Sequence, residues 1–255
     1  MSEWILGALL AGLVVQTLTL YKVRKIHLAS YRLEHALRQT ESEARTLYQQ
    51  FQAYDGLMRL IHPVAPLPPL RHWAASPDFL LELALHVRHR RPEAILECSS
   101  GSSTLVLARS CELNGAGHVL SLEHDEHYAI KTRQLLEEQN LTEWATIIHA
   151  PLVSVSGHDQ PWYEPKCIPT DRHAFDMVVI DGPPADTSPL ARYPALPMLN
   201  SYISVGASVF LDDANRKGEQ AVLRRWQSEF PEYKQTQLHL EKGGARLEKA
   251  ATQAS

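Results

Sequence analysis

The chain has 255 residues, with 25 Lys and Arg against 29 Asp and Glu, and 44% of it is hydrophobic. That is a globular composition, which excludes intrinsic disorder, collagen-like repeats and a disulfide miniprotein scaffold. The first 67 residues carry a net charge of +2 and the remainder −6; an acidic main domain without a basic stripe argues against nucleic acid as a partner. Cys98, Cys111 and Cys167 show no CxxC spacing, so neither a disulfide framework nor structural zinc is indicated, and a reducing compartment fits.

From Trp4 to Tyr21 there is no charge, and as a helix this run reaches roughly 27 Å, near the ~30 Å hydrocarbon thickness of a bilayer. Lys22, Arg24 and Lys25 follow directly. Residues 1–25 therefore read as a single transmembrane anchor, with the rest of the chain cytoplasmic by the positive-inside rule and the membrane as a first partner. A cleaved signal peptide fits less well, because Met1-Ser2-Glu3 offers no basic start.

No proline occurs from Lys22 to His62, and Leu33, Leu37, Thr40, Ala44, Leu47, Phe51, Tyr54, Met58 and Ile61 fall at 3,4 spacing. Such a narrow stripe predicts a coiled-coil stalk and a homodimer through it; an amphipathic helix lying on the chain's own domain is the alternative. Pro63, Pro66, Pro68 and Pro69 then stop the helix. The expected domains are the anchor, a stalk and linker over 26–67, a main domain over 68–245 and a tail over 246–255.

In the main domain short apolar runs alternate with helical segments: Ala94–Glu97, His118–Glu123, Ala145–His149, Asp176–Asp181 and Ala207–Asp212. This predicts an α/β doubly wound, Rossmann-like sheet, mostly parallel, whose ligands sit at the carboxyl ends of the strands. Several runs end on an acid. The first leads into Glu97-Cys98-Ser99-Ser100-Gly101-Ser102-Ser103-Thr104, small residues that let a ligand approach the backbone ahead of a helix N-terminus. A dinucleotide-binding dehydrogenase would place G-x-G-x-x-G there, and only Gly101 is glycine. In the string EHDEH, His124 and His127 invite a metal reading, but adjacent side chains on a turning strand end point apart.

The loop, with Glu123 closing the second strand and the later strands in order, resembles the class I S-adenosylmethionine-dependent methyltransferases over roughly residues 75–240. The resemblance puts Glu97 beside the methionine part of the cofactor, packs Ser99, Ser100, Gly101 and Ser103 against it, and gives Glu123 the ribose hydroxyls. Adenine then falls to the backbone of Ala150. It further implies that the last strand is antiparallel, in the stretch around Gly243-Gly244.

The runs ending FDMVVIDGPP and GASVFLDDANR bring acids to the ligand edge. In the catechol O-methyltransferase branch a divalent cation lies there, held by an acid and an Asp-Asn pair, and polarises the substrate hydroxyls. Asp181 and Asp213 match the two acids and are the catalytic candidates, with Asn215 one residue out of register as a third ligand for Mg²⁺ or another divalent cation. A lysine base of that branch is replaced by Pro184. Arg192 and Tyr193 can reach the substrate mouth or sit at a helix start, and Trp162 and Tyr163 belong to a substrate loop or to ordinary packing.

The expected function is a membrane-anchored methyltransferase acting on an oxygen of a small-molecule, glycan or lipid-linked acceptor. The rivals are a nicotinamide-dependent oxidoreductase and a catalytically inactive, membrane-tethered scaffold.

Overall fold

The computed structural model describes residues 2–70, 74–157, 159–168 and 174–251. The chain divides into two compact units, Met1–Gln49 and Gln50–Ser255.

The first unit is helical, the larger part of α1 (Ser2–Ile61). Among the described residues no helix is long and apolar enough to cross a membrane. This overturns the expected transmembrane anchor, and with it the membrane partner, the single-pass topology, the cytoplasmic placement derived from it and the case for a lipid-linked acceptor. The physical reason lies in the second half of the run, where Gln16, Thr17 and Thr19 dilute the apolar stretch. Both threonine hydroxyls turn back to backbone carbonyls, Thr17 to Leu13 and Thr19 to Val15, each at 2.8 Å. The side chain of Trp4, where the uncharged run begins, lies outside the described residues.

The coiled-coil stalk and its homodimer also lose their basis. Leu33, Leu37, Leu47 and Phe51 are exposed, but the final register positions are not available to a second helix. Ile61 is buried, as is Leu57 beside it, and Met58 packs against the same cluster as Phe79, Leu80 and Leu83. The end of α1 thus belongs to the second unit's own core. That unit begins at Gln50, inside the stretch read as stalk. Gln50 fastens the join: its amide donates to Asp78 Oδ2 at 2.8 Å and accepts from the Asp78 N–H at 3.2 Å.

The second unit is built on strands β1 (Ala94–Cys98), β2 (His118–Glu123) and β3 (Ala145–His149), then a small hairpin of β4 (Leu152–Val153) and β5 (Trp162–Tyr163). β6 (Phe175–Ile180), β7 (Ile203–Asp212), β8 (Tyr233–Leu238) and β9 (Gly244–Lys249) follow. Seven of these form one sheet in the order β3-β2-β1-β6-β7-β9-β8. β1 pairs in parallel with β2 on one side and β6 on the other, so the strand order reverses there and a crevice opens at the carboxyl ends. β9 alone is antiparallel to the rest, pairing with β7 and β8. It runs through residue 249, past the expected boundary at 245; residues 252–255 of the expected tail lie outside the described ones.

The runs form strands because both faces are covered, as the alternation of side chains shows. Leu96, Leu120, Leu122, Val178, Ile180, Val209 and Leu211 pack on one face with Leu196, Leu199, Val222 and Trp226 of α5 (Ala195–Leu199) and α6 (Lys217–Glu229). Ile95, Val119, Ile147, Met177, Val179 and Phe210 point the other way. They meet α2 (Pro77–Arg90), α3 (Ser102–Asn114), α4 (Glu126–Glu138) and the end of α1. A period of two splits each strand between two apolar layers.

A carboxyl group is among the polar groups buried inside this frame. Glu97, wholly buried on β1, accepts hydrogen bonds at Oε2 from Thr104 Oγ1 of α3 at 2.6 Å and from Ser121 Oγ of β2, tying three elements together. Burial raises its carboxyl from 4.5 to about 7, against the lowering effect of the hydroxyl hydrogen bonds.

Leu57→Ala or Ile61→Ala should cost about 2–5 kcal/mol in urea unfolding, while Leu37→Ala, at an exposed position, should leave the midpoint in place. Equal effects for the three would return the end of α1 to a free stalk. For Glu97 the folded state holds a proton that the unfolded chain, with its carboxyl near 4.5, releases earlier. Stability should therefore fall as pH rises from about 4.5 to about 7, and Glu97→Gln should flatten that slope. An unchanged slope in the folded variant would show that Glu97 is not the group responsible.

Candidate active site

The loop after β1 enters the crevice at a bend. Ser99 has φ 135° and Gly101 φ 144°, and the Ser99 N–H is held by the Leu122 carbonyl at 3.0 Å. At Gly101 an added Cβ would meet open space, so its glycine character answers to backbone conformation and leaves the entrance to α3 bare. Ser100 Oγ donates to Glu123 Oε2 at 2.8 Å and lies 3.0 Å from Thr132 Oγ1 of α4. The other carboxylate oxygen of Glu123 accepts the Asp125 N–H at 3.0 Å and pairs with His124 Nδ1 at 3.0 Å. Its hydrogen bond to Glu123 is the main cause that holds His124 above the usual histidine range. Asp125 in turn caps α4 by accepting the Tyr128 N–H. Glu123 is therefore oriented from three sides before any ligand arrives.

The second half of the edge is charged. Asp181 follows β6, Asp212 ends β7 and Asp213 follows it; one carboxylate oxygen from each lies within 4.8 Å of the others. Between them sits the guanidinium of Arg192, 3% exposed. Its Nη2 donates to Asp213 Oδ2 at 2.9 Å, to Asp181 Oδ1 at 3.2 Å and to the Asp181 carbonyl at 2.8 Å; Nη1 donates to the Asp212 carbonyl at 2.9 Å. Arg216 Nη1 reaches the same Asp213 oxygen at 2.9 Å. Burial raises Asp181 to about 6, opposed by Arg192 and reinforced by Asp213. Asp212, whose Oδ2 has no hydrogen-bond partner among the described residues, is pushed well above the carboxylate range, chiefly by burial. Burial alone would weaken the charge on Arg192; Asp181 and Asp213 keep it protonated.

A cavity of about 740 Å³ joins the two halves. It brings together Ser99, Ser100, Gly101, Ser103 and Glu123 on one side with Asp181 and Asp213 on the other. Three expected site residues lie apart from its wall. Glu97 is beneath the loop, and Ala150 is wholly buried with its N–H taken by the Glu123 carbonyl at 2.7 Å. The third, Asn215, is drawn toward the turn that links β8 to β9: its N–H bonds the Lys242 carbonyl at 3.1 Å, and its side chain fills the space where a Cβ on Gly243 would stand.

Sequence reasoning left open or passed over several groups that the fold places here. Arg192 and Lys242 line the cavity, as does Tyr163, which comes from the hairpin inside the long connection after β3. The Tyr163 hydroxyl is buried and has no hydrogen-bond partner among the described residues, and a Cβ added at Gly182 would collide with it. Trp162, beside it, belongs to the core. The Asp212-Asp213 doublet was visible in the sequence; nothing there paired it with Arg192.

A divalent cation fits this donor set poorly. Asp181 and Asp213 are already engaged by guanidinium groups at hydrogen-bond distance, and Asn215 is committed elsewhere.

Residues 96–214 match the family model described as a methyltransferase domain. No curated protein matches the sequence. Among solved structures, the S-adenosylhomocysteine-bound methyltransferase PaMTH1 of Podospora anserina is similar at 14% identity and a TM-score of 0.60, covering 83% of this chain and 96% of that one. The O-methyltransferase of Bacillus cereus, in complex with S-adenosylhomocysteine, gives 20%, 0.52, 78% and 91%. TomG of Streptomyces achromogenes, an O-methyltransferase involved in tomaymycin synthesis and bound to S-adenosylmethionine, gives 18%, 0.53, 79% and 89%. At these identities the solved structures speak for the fold. Together with the family match over residues 96–214 and the sheet order, they show that the α/β unit has the fold of the class I S-adenosylmethionine-dependent methyltransferases.

Proposed function

We propose that the cavity binds S-adenosylmethionine along the β1–β2 side and methylates an oxygen of a small-molecule acceptor on the β6–β7 side. The observation that carries this reading is the bond between Ser100 and Glu123, which joins the two loops a cofactor would bridge at the cavity wall. Glu123 already accepts from Ser100, the Asp125 N–H and His124, which leaves an acceptor site on Oε2 for a ribose hydroxyl. Ser99, Ser100, Gly101 and Ser103 supply small surfaces against which the methionine part can lie. Glu97 supports them from below through Thr104, which also accepts the Gly101 N–H at 3.0 Å.

In the reaction the acceptor oxygen attacks the methyl carbon, the carbon–sulfur bond breaks, and the sulfonium leaves as a neutral thioether. The acceptor's proton needs a base. Asp181 lines the cavity and is raised to about 6, which suits a general base working near neutrality. The Tyr163 hydroxyl, kept protonated by burial, is a donor without a protein partner on the same wall. The O-methyltransferases among the structural neighbours favour oxygen as the accepting atom. The enzyme's main contribution would be alignment and exclusion of water.

Calorimetry on the full chain should show binding of S-adenosylmethionine and S-adenosylhomocysteine and none of NADH. Glu123→Ala should lower both affinities by roughly tenfold to a hundredfold, about 1.5–3 kcal/mol per charge-assisted bond lost. A folded variant with unchanged affinity would take Glu123 out of the cofactor site. Failure of the wild-type chain to bind either compound would favour a scaffold that has lost catalysis.

A further inference from the structure

We infer that Arg192 stands in for a divalent cation, so that the acceptor side of this site is organised by a guanidinium without a metal. The ionic arrangement stands by itself; its role in holding the acceptor rests on the methyltransferase reading.

Three observations carry it. Asp213 Oδ2 accepts from Arg192 at 2.9 Å and from Arg216 at 2.9 Å, and Asp181 Oδ1 accepts from Arg192 at 3.2 Å. A magnesium ion needs such oxygens at about 2.0–2.1 Å in a near-octahedral shell, and in a buried site it would stand against a fixed positive charge a few ångströms away. Next, Arg192 is held at both ends. Its two terminal nitrogens bind the backbone carbonyls of Asp181 and Asp212, which close the two strand ends. Its own segment is pinned by Tyr193 N–H to the Leu190 carbonyl at 2.8 Å, Ala195 N–H to the Arg192 carbonyl at 3.2 Å, and Trp226 Nε1 to the Tyr193 carbonyl at 2.9 Å. This is not a side chain that swings aside at little cost. Finally, the residue that would complete a metal shell, Asn215, is bound into the turn at Gly243.

The fork of a guanidinium suits this duty, since its donors lie in one plane and can engage several oxygens at once. It differs from a cation in one respect that matters for the acceptor. A metal with open positions can chelate two neighbouring oxygens of a substrate, whereas Arg192 spends most of its donors on the protein. The site therefore does not select for paired hydroxyls. Arg192 acts as a positioning residue, holding the Asp181 carboxylate toward the cavity.

Mn²⁺ titration of the full chain, followed by the electron paramagnetic resonance signal of the free ion, tests the inference without an acceptor. The wild-type protein, with or without S-adenosylhomocysteine, should take up no Mn²⁺ in the micromolar range. Arg192→Ala should uncover the three carboxylates and bind Mn²⁺ at least tenfold more tightly, while Arg192→Lys, which keeps a cation in place, should behave as wild type. Stoichiometric micromolar binding by the wild type, lost in Asp213→Asn, would overturn the inference, as would a folded Arg192→Ala with no gain. If Arg192→Ala does not fold, the wild-type titration decides alone. Binding of S-adenosylhomocysteine, measured in parallel, reports on the methyltransferase reading separately.

Discussion

Burying several carboxylates at one end of a sheet is the constraint around which this domain is arranged. Removing an ionised group from water costs several kcal/mol even after relaxation, and that cost is offset only by partners of the right charge and geometry. Asp181, Asp212, Asp213 and Glu219 meet it around one side chain: Arg192 bonds the first and third by side chain, the second by its carbonyl, and lies 3.9 Å from Glu219. Because that side chain must come from the segment before α5, the path of residues 182–194 is dictated by charge compensation as much as by apolar packing. The loops after β6 and β7 then have little freedom to move apart.

The two halves of the cavity are held by different physics. On the β1–β2 side the fastening groups are hydroxyls and backbone N–H groups around one acid, an arrangement that shapes a surface without a strong field. On the β6–β7 side the fastening groups are ions. Each half also contains a non-glycine residue at positive φ, Ser99 at 135° and Asp213 at 59°. Strained backbone of this kind persists where surrounding contacts over-determine it, and both residues lie on the cavity wall. The cavity wall is thus polar and locally paired on one side and ionic on the other.

What could be read from the sequence followed range. The five parallel strands were legible because short apolar runs alternating with helical segments are a local signal, and so was the end of the second strand at Glu123. The stripe from Leu33 to Ile61 was visible too, yet periodicity states that a face is apolar and is silent on what covers it: at Met58 and Ile61 the cover is a core of the same chain. The anchor failed for a related reason, since its length and lack of charge met the requirement while Gln16, Thr17 and Thr19 weakened the apolar content. Arg192 and Asp213 are 21 positions apart in sequence and meet only when the sheet has closed. Likewise nothing near Asn215 announced that a turn some 28 residues later would claim it.

The position of β9 carries a consequence for assembly. It follows β8 in sequence but lies between β7 and β8 in the sheet, so β8 has no place until the chain has doubled back. The turn before β9 is also what holds the acid loop, through Ala214 N–H to Gly243 and Asn215 N–H to Lys242 at 3.1 Å each. The acid loop after β7 is therefore clamped by the part of the domain that is synthesised last, and its anchoring depends on β9 having paired with β7.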